Sequence, residues 1–228
     1  MVEKKIAVDF HCHTIYSPDS LNDVTRLIEA SKKNGIDRLV ITDHNTIRGA
    51  LLAKELAPEY IIVGEEIETS DGGEVLAVFV KDEVPGFIPY QEVISRLKEQ
   101  GAFISLSHPF DFQRKGWRLD ALEELAIAVD AIEVFNSRVT NSFFNQQAEL
   151  FAQRFGLPGT AGSDAHTIRE AGRARVILSE FGDANQLRSA IKGGTIQGEL
   201  SSPFIHLASR YAVWYKALNQ RVFERFKS

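Results

Sequence analysis

The sequence predicts an α/β fold in which a mainly parallel sheet closes, or nearly closes, into a barrel. Short runs rich in Val, Ile and Phe alternate with longer amphipathic segments almost to the end of the 228-residue chain. About seven such strand–helix units follow one another, which suits a barrel better than an open sheet. No linker rich in Pro, Gly or Ser divides the chain, so we expect a single domain over residues 1–228. Its core would span about residues 5–195, with a helical extension at about 205–228.

Seven short apolar runs predict the strands, because runs of four to eight residues suit buried strands better than helices. In chain order they are Ile6–Phe10, Arg38–Thr42, Tyr60–Glu65, Glu74–Val80, Phe103–Ser107, Ala131–Phe135 and Leu157–Ala161. Asp71-Gly72-Gly73 lies between the third and fourth runs and predicts a hairpin turn.

The segments between the strands predict helices on the outside of the sheet. In the first segment the apolar residues from Leu21 to Ile28 share one face with Ser31, and Asn34-Gly35 marks the end of the helix. Further helices are predicted at Ile47–Leu56, Tyr90–Glu99, Leu119–Ala128, Asn141–Phe155 and Ala184–Lys192.

The C-terminal extension carries an apolar stripe at spacings of three and four residues, made of Leu207, Tyr211, Trp214, Leu218 and Val222. This spacing predicts a helix that packs on the domain through the stripe. The alternative is a contact between two copies of the chain, which would make the protein a homo-oligomer.

Composition excludes several classes of protein. With 26 Lys and Arg against 31 Asp and Glu, the net charge is −5, so we expect no stable complex with nucleic acid. A lone cysteine, Cys12, rules out an internal disulfide and fits a reducing compartment. The N-terminus does not resemble a secretory signal, and no apolar run approaches the roughly 20 residues that span a bilayer. We therefore expect a cytoplasmic protein without a membrane segment.

Five of the six histidines stand at or just beyond the C-terminal end of a predicted strand. They are His11, His13, His44, His108 and His166. Acidic residues share these positions, namely Asp19, Asp43, Glu65, Glu66 and Asp164. In a parallel barrel all these strand ends lie on one face, so residues spread over much of the chain would meet in one pocket.

Spacing supports a metal site at this face. Alternate residues of an extended segment point the same way, so Asp9, His11 and His13 should project together, as should Asp164 and His166. So many buried polar groups would be costly unless a metal ion compensated them. Mixed histidine and carboxylate ligands suit Mn, Zn or Fe, among which the sequence does not choose.

Four blocks of sequence resemble the PHP family, the polymerase and histidinol phosphatase domains, and specifically its stand-alone metal-dependent phosphoesterases. The blocks are Val8-Asp9-Phe10-His11-Cys12-His13-Thr14 with Ser17-Pro18-Asp19, Ile41-Thr42-Asp43-His44, Ser107-His108-Pro109, and Gly162-Ser163-Asp164-Ala165-His166. The resemblance implies a distorted (βα)7 TIM-like barrel with two or three divalent metal ions at the C-terminal ends of its strands. It also implies hydrolysis of phosphate esters.

The resemblance further implies a role for each matching residue. The first metal would be held by His11, His13, Glu66 and Asp164. Glu66 would bridge to a second metal held also by His108, and a third would be held by Asp19, His44 and His166. We choose Glu66 over Glu65 from the spacing of the motif, since strand alternation sends the two side chains to opposite faces.

One departure from the family pattern concerns the fourth strand. Many members carry a further histidine there, whereas this chain reads Glu74-Val75-Leu76-Ala77-Val78. Leu76 stands where that histidine is usual, which would leave the second metal short of a protein ligand.

Several other polar residues are candidates for the same site. The predicted catalytic residues are Asp164, His166 and Arg138, and the predicted substrate-binding residues are Arg138, Asn136 and Arg173. An arginine fork suits phosphate oxygens, although a surface salt bridge would explain Arg138 equally well. Asp9 and Asp43 would orient ligand imidazoles, and Glu133 would either do the same or pair with a buried arginine. Cys12 should point away from the metals, and His206 lies outside every motif.

The function predicted first is hydrolysis of a small phosphomonoester, such as a nucleotide, by a metal-activated water. A 3'-5' exonuclease or phosphodiesterase acting on nucleic-acid ends is an alternative. So are a C–N hydrolase and a degenerate metal-binding domain without activity. The missing fourth-strand histidine favours the last of these.

Overall fold

Nine strands form one sheet that curls into a nearly closed barrel in the computed structural model, which describes residues 4–114 and 116–219. The strands are β1 Lys5–Asp9, β2 Arg38–Ile41, β3 Ile61–Glu68, β4 Glu74–Val78, β5 Phe103–Leu106, β6 Ala131–Asn136, β7 Gly159–Gly162, β8 Ala174–Ser179 and β9 Thr195–Gly198. Their order across the sheet is β7-β6-β5-β4-β3-β2-β1-β8-β9. The seven predicted strands are present within a few residues of their predicted bounds.

The barrel closes where β1 changes partner. Along Lys5–Val8, β1 pairs with β8, and beyond its end the chain bonds instead to the segment that follows β7. The Phe10 N–H donates to the Ala161 carbonyl at 3.2 Å, and the Asp164 N–H donates to the His11 carbonyl at 2.7 Å. These bonds bring residues about 150 positions apart into contact at the mouth of the barrel.

The sheet is less parallel than predicted, because two of its strands, β4 and β8, run opposite to the others. The hairpin at Asp71-Gly72-Gly73 is confirmed, and it makes β4 antiparallel to both β3 and β5. Gly72 and Gly73 turn the chain with φ values of +89° and +77°, which glycine adopts without steric cost. The strands β8 and β9, which the sequence analysis missed and which α6 separates in the chain, add antiparallel pairing beside β1. A simple repeat of seven βα units is therefore not what forms this barrel.

Helices cover the outside of the sheet. They are α1 Val24–Lys33, α2 Arg48–Leu56, α3 Tyr90–Gln100, α4 Leu119–Ala126, α5 Ser142–Phe155, α6 Ala184–Ala190 and α7 Ile205–Leu218. Helix α1 starts three residues later than predicted, because the Asp23 carboxylate caps it by accepting from the Arg26 N–H. Helices α3 and α5 end at Gly101 and Gly156 in the left-handed conformation.

The core follows the alternation of side chains along each strand. Val8, Val40, Ile62 and Phe103, from four different strands, belong to one buried cluster with β8 and α6. Their neighbours Leu39 and Ile41 pack on the opposite face, against α1 and α2. The apolar side chains of the strands thus pack within the sheet and against the helices. The polar residues at the strand ends lie at the mouth of the barrel.

The C-terminal helix α7 does not pack through its apolar stripe, so that prediction is wrong. Leu207, Tyr211, Trp214 and Leu218 are 53–64% exposed, and Val222 lies outside the described residues. The helix instead turns Ala212 and three polar side chains, His206, Ser209 and Lys216, toward the domain. Polar contacts to loops therefore fix the orientation of α7. Among the described residues, no helix combines the length and apolar character needed to cross a membrane.

Candidate metal centre

All eight predicted metal ligands converge at the mouth of the barrel. The centre of the cluster is the buried carboxylate of Glu66 at the C-terminal part of β3. Its Oε2 lies 3.2 Å from His11 Nε2, 3.3 Å from His13 Nε2 and 3.2 Å from His44 Nδ1. Its Oε1 lies 3.3 Å from His108 Nε2. One carboxylate thus touches four imidazoles from three loops.

Asp164 and Asp19 complete the group on the side of β7. Asp164 Oδ1 lies 3.6 Å from His11 Nε2, 3.3 Å from His13 Nε2 and 3.3 Å from His166 Nδ1. Asp19 Oδ2 lies 2.9 Å from His166 Nε2, and its Oδ1 lies 3.7 Å from His44 Nε2. The structure therefore assembles the residues that the sequence had placed in three separate ligand sets.

Glu74 supplies the carboxylate that sequence analysis had missed on the fourth strand. Its Oε2 lies 3.2 Å from His108 Nε2, and its Oε1 lies 3.8 Å from His44 Nδ1. Because β4 runs antiparallel to β3, its first residue lies at the mouth of the barrel. Leu76, by contrast, is buried opposite Glu66 in the sheet, and its side chain carries no ligand atom. Glu74 therefore offers a carboxylate where the sequence analysis expected a ligand to be missing.

A further carboxylate, Glu68, lies beside this pair. Glu68, Glu74 and His44 form one group of atoms within 4.8 Å of one another, and Glu66, Glu74 and His108 form another. The predicted hairpin carried the signal for both missed glutamates, because a reversed fourth strand brings its start to the same face as the end of the third.

Backbone conformation aims two of the ligands. His108 and Asp164 adopt positive φ values of +23° and +52°, which are unusual for residues with a side chain. Gly162 lets His11 approach β7, since a Cβ there would lie 2.1 Å from His11 Cβ and 2.9 Å from Glu133 Oε1. Two strained backbone conformations and the absence of a side chain at Gly162 therefore allow these ligands to come together.

Hydrogen bonds fix the imidazole tautomers. Glu133 Oε1 accepts from His11 Nδ1 at 2.9 Å, which resolves the two roles predicted for Glu133 in favour of orienting a ligand. Ser17 Oγ donates to Asp43 at 2.7 Å and so accepts from His13 Nδ1 at 3.0 Å. Asp43 therefore acts on His13 through Ser17. In the neutral form of both histidines Nδ1 carries the proton and the Nε2 lone pair faces the cluster.

Asp9 and Glu65 lie away from the cluster. Asp9 accepts backbone N–H groups of His11, Ser163 and Gly172, so it holds loops and does not orient an imidazole as predicted. Asp9 does not project with His11 and His13 as expected, because β1 ends at Asp9 and the alternation of side chains does not continue beyond the strand. Glu65 accepts from the Val84 N–H at 3.0 Å on the other face of β3, which agrees with the choice of Glu66.

Cys12 also lies on the far side, with its thiol 3.2 Å from Ser163 Oγ. Burial raises the pKa of this thiol well above its usual value, so a thiolate ligand is not formed.

The three predicted substrate-binding residues have different positions. Asn136 lies inside the site, where its amide donates to Glu133 and Asp164 at 3.1 Å. Arg138 lies in the wall of the pocket, where its Nε is 3.3 Å from Glu170 Oε1. Arg173 is exposed and borders separate surface depressions, because the chain turns away after His166 into β8. Arg173 is therefore withdrawn as a substrate-binding candidate.

Sequence analysis missed Arg114, which is the arginine best placed in the pocket. It forms a short contact with Asp164, and its Nε lies 3.0 Å from Asp111 Oδ2. Nη2 donates to Asn136 Oδ1 at 3.3 Å. Its side chain is 24% exposed, against 2% for Arg138, so it faces the open cavity more directly. No motif pointed to it, since it follows His108 in a loop.

A cavity of about 340 Å³ lies over the cluster. Its lining combines the candidate ligands Asp19, His44, Glu74, His108 and His166 with Arg114 and Arg138. His206 and Ser209 of α7 also line it, although His206 belongs to no predicted motif.

The donor set fits bound cations on two observations. First, acceptors face one another: His11 Nε2 and His13 Nε2 are 2.9 Å apart, and both carry lone pairs in the neutral imidazoles that bind metal. Second, buried oxygens Asp164 Oδ1 and Asp19 Oδ1 have no hydrogen-bond partner. Unpaired buried acceptors are costly, and a cation compensates several at once.

Electrostatics agree with this fit. Burial alone would lower the pKa of His11, but Glu66 and Asp164 outweigh it and raise the pKa well above 6.5. Burial and the neighbouring Glu66 raise the pKa of Glu74 to about 8, with His44 acting against them. The cluster thus holds more negative charge than its imidazoles neutralise, and it attracts a positive charge.

Comparison with known proteins identifies the family. The family model described as PHP domain matches residues 9–115, and the one described as PHP-associated matches residues 143–196. An uncharacterized protein of Methanocaldococcus jannaschii is 36% identical over 179 residues, which cover 76% of this chain and 71% of that protein. This chain belongs to the PHP family. The predicted family is therefore confirmed.

Solved structures show the same PHP-type fold. PsfC from Pseudomonas syringae aligns with a TM-score of 0.70 at 22% identity, covering 92% of this chain and 98% of that one. A putative metal-dependent phosphoesterase from Bifidobacterium adolescentis aligns with a TM-score of 0.59 at 20% identity, covering 80% and 94%. The α/β barrel is thus confirmed. PHP membership and the histidine–carboxylate groups together imply divalent-metal binding.

Proposed function

We propose that this protein hydrolyses a small phosphomonoester, with water as the nucleophile. The observation that carries the proposal is the convergence of histidines, carboxylates and Arg114 around one cavity of about 340 Å³. This volume is at the small end of the range for small-molecule sites. PHP family membership supports a metal-dependent hydrolase, and the substrate class is our own assignment.

The family resemblance assigns the ligand sets apart from Glu74, and the distances support them. His11, His13, Glu66 and Asp164 would hold one ion, Glu66, Glu74 and His108 a second, and Asp19, His44 and His166 a third. Divalent ions at such a centre supply a water of lowered pKa and neutralise charge on phosphate oxygens. Mn, Zn and Fe all suit these ligands.

The surrounding residues bind and orient. Arg114 offers a guanidinium to the phosphate at the edge of the cluster, while Asp164 and Asp111 hold it in place. Arg138 positions the wall of the site through Glu170 and the Asp164 backbone carbonyl. Glu133 and Ser17 hold the proton of each neutral imidazole on Nδ1, so the Nε2 lone pairs of His11 and His13 face the cluster. Overall, water replaces the alcohol at phosphorus, and the alcohol leaves with a proton.

A decayed, non-catalytic site is disfavoured by the same geometry. Its main support was the missing histidine on the fourth strand, and Glu74 now provides a carboxylate at that point. An exonuclease or phosphodiesterase and a C–N hydrolase would use similar metal ligands. These alternatives are therefore distinguished from a phosphomonoesterase by the substrate that the protein hydrolyses.

The test is phosphate release by protein reconstituted with Mn²⁺, measured against small phosphomonoesters and short oligonucleotides. His11→Ala is the matched control, and bound metal is measured in both proteins. Release from small esters that the control abolishes would support the proposal. Nucleotide release from oligonucleotides alone would favour the exonuclease, and inertness toward all phosphoesters with metal bound would refute both.

A further inference from the structure

Helix α7 closes one side of the cavity, and its two polar residues there have no role in holding metal. His206 and Ser209 are spaced three residues apart, so they share one face of the helix. Both line the cavity together with His44, His108 and His166. Both are partly exposed, as residues that face a cavity should be.

The helix is held firmly in this position. Ser209 Oγ accepts from Arg138 Nη2 at 2.9 Å, and His206 Nε2 lies 3.1 Å from the Arg138 carbonyl oxygen. At the other end, Lys216 Nζ donates to the Ile15 carbonyl at 2.7 Å and to the Ser17 carbonyl. Helix α7 thus joins the loop after β6 to the loop after β1, which carries Asp19. Its cavity-facing residues are fixed in relation to the metal ligands.

The two side chains present a defined hydrogen-bonding pattern. A carbonyl only accepts, so His206 Nε2 carries the proton and Nδ1 has a free lone pair. Burial and the charge of Arg138 lower the pKa of His206, which favours this neutral form. Ser209 Oγ accepts from Arg138, so its own proton is available to donate. The wall therefore offers one acceptor and one donor, both uncharged.

We propose that His206 and Ser209 bind hydroxyl groups on the alcohol half of the substrate, which makes the substrate a phosphomonoester of a polyhydroxy alcohol. The phosphate must lie against the histidine–carboxylate cluster and Arg114, so the alcohol extends toward the remaining walls. A hydroxyl group both donates and accepts, and it matches the pair of sites on α7. This inference rests on the proposed phosphomonoesterase function and assigns its specificity.

The test compares two substrates that differ only in hydroxyl groups, glycerol 1-phosphate and propyl phosphate. For Mn²⁺-reconstituted protein, kcat/KM is measured for each, and the ratio of the two values is the selectivity. In His206→Phe and Ser209→Ala we expect this ratio to fall by about three- to tenfold, the effect of losing one uncharged hydrogen bond. Leu207→Ala, on the exposed face of the same helix, is the matched control and should keep the ratio.

The outcomes separate this inference from the proposed function. If the variants lower kcat/KM equally for both esters, the residues only support Arg138, and the specificity role is refuted while the function stands. If the wild type shows no preference for the hydroxylated ester, the inference is also refuted. If neither ester is hydrolysed while other phosphomonoesters are, the inference is refuted and the function stands; if no phosphomonoester is hydrolysed with metal bound, both proposals fail. Bound metal and circular dichroism spectra are measured for each variant. Values equal to those of the wild type show that a lower selectivity does not result from unfolding.

Discussion

Replacing the buried Glu65 by Gln should stabilise the protein at high pH and have little effect at low pH. Glu65 is fully buried, and its Oε1 has no hydrogen-bond partner. Burial raises the pKa of this carboxyl to about 8 from an ordinary 4.5, with the Val84 N–H acting against it and Glu83 adding to it. The folded protein therefore keeps Glu65 protonated at neutral pH, whereas the unfolded chain ionises it.

The sign and size follow from linkage. A pKa raised in the folded state gives stability that is complete below about pH 4.5 and is lost as pH rises through about 8. At about 1.36 kcal/mol per pH unit, the loss is about 3 kcal/mol at pH 7 and reaches about 5 kcal/mol above pH 8. Gln has the same shape and can accept the Val84 N–H through its amide oxygen, but it cannot ionise.

The assay is urea unfolding of metal-free wild type and Glu65→Gln at pH 5, 7 and 9. We expect the two free energies of unfolding to agree within about 1 kcal/mol at pH 5 and to diverge in favour of the variant above it. Other titrating groups contribute equally to both proteins, so their contributions cancel in the difference between the two free energies of unfolding. Glu29→Gln, on the exposed face of α1, should show no such divergence. A difference that stays constant from pH 5 to 9 would refute the linkage argument.

Four further changes test the site. Gly162→Ala should cost about 1–3 kcal/mol and weaken metal binding by displacing His11, while Gly193→Ala, with no atom near its Cβ, should do neither; unfolding and titration calorimetry decide. Glu133→Gln should weaken Mn²⁺ affinity by about 10- to 100-fold, because Gln has one acceptor oxygen where the carboxylate uses two, for His11 Nδ1 and for the His108 N–H, and unchanged affinity would contradict that role. Since the pKa of His11 is raised, Mn²⁺ affinity should fall by about tenfold per pH unit below that pKa, and a flat pH profile would argue against His11 as a ligand. Arg114→Ala should raise KM for phosphomonoesters by about tenfold or more with metal content intact, and unchanged kinetics would remove it from the site.

The sequence was sufficient where local patterns decide the structure. Apolar runs located the strands up to β7, and the positions of His11, His44, His108 and Asp164 at strand ends predicted that they would meet. The pattern was insufficient for β9, whose four residues carry little apolar character and gain order by pairing with β8.

The site residues that the sequence analysis missed have a common cause. Their positions depend on how a strand, loop or helix is oriented in the fold, which local spacing does not tell. Glu74 was missed although the predicted hairpin reverses β4, and this reversal is what brings the start of the strand to His108. Arg114 and His206 were missed because loops and the packing of α7 position them, and neither is encoded by local spacing. The prediction that α7 packs through its apolar stripe failed for the same reason, since polar contacts decide the orientation of that helix.

The seam between β1 and β7 bears on how the protein folds. His11 and Asp164 come together only when the segment after β1 bonds to the segment after β7, across about 150 residues of chain. Contacts of such long sequence separation form slowly, because loop closure costs entropy before the contacts repay it. The ligand set is therefore among the last parts of the molecule to assemble. Metal uptake during refolding should lag behind the appearance of helix signal, and it would report the moment at which the barrel closes.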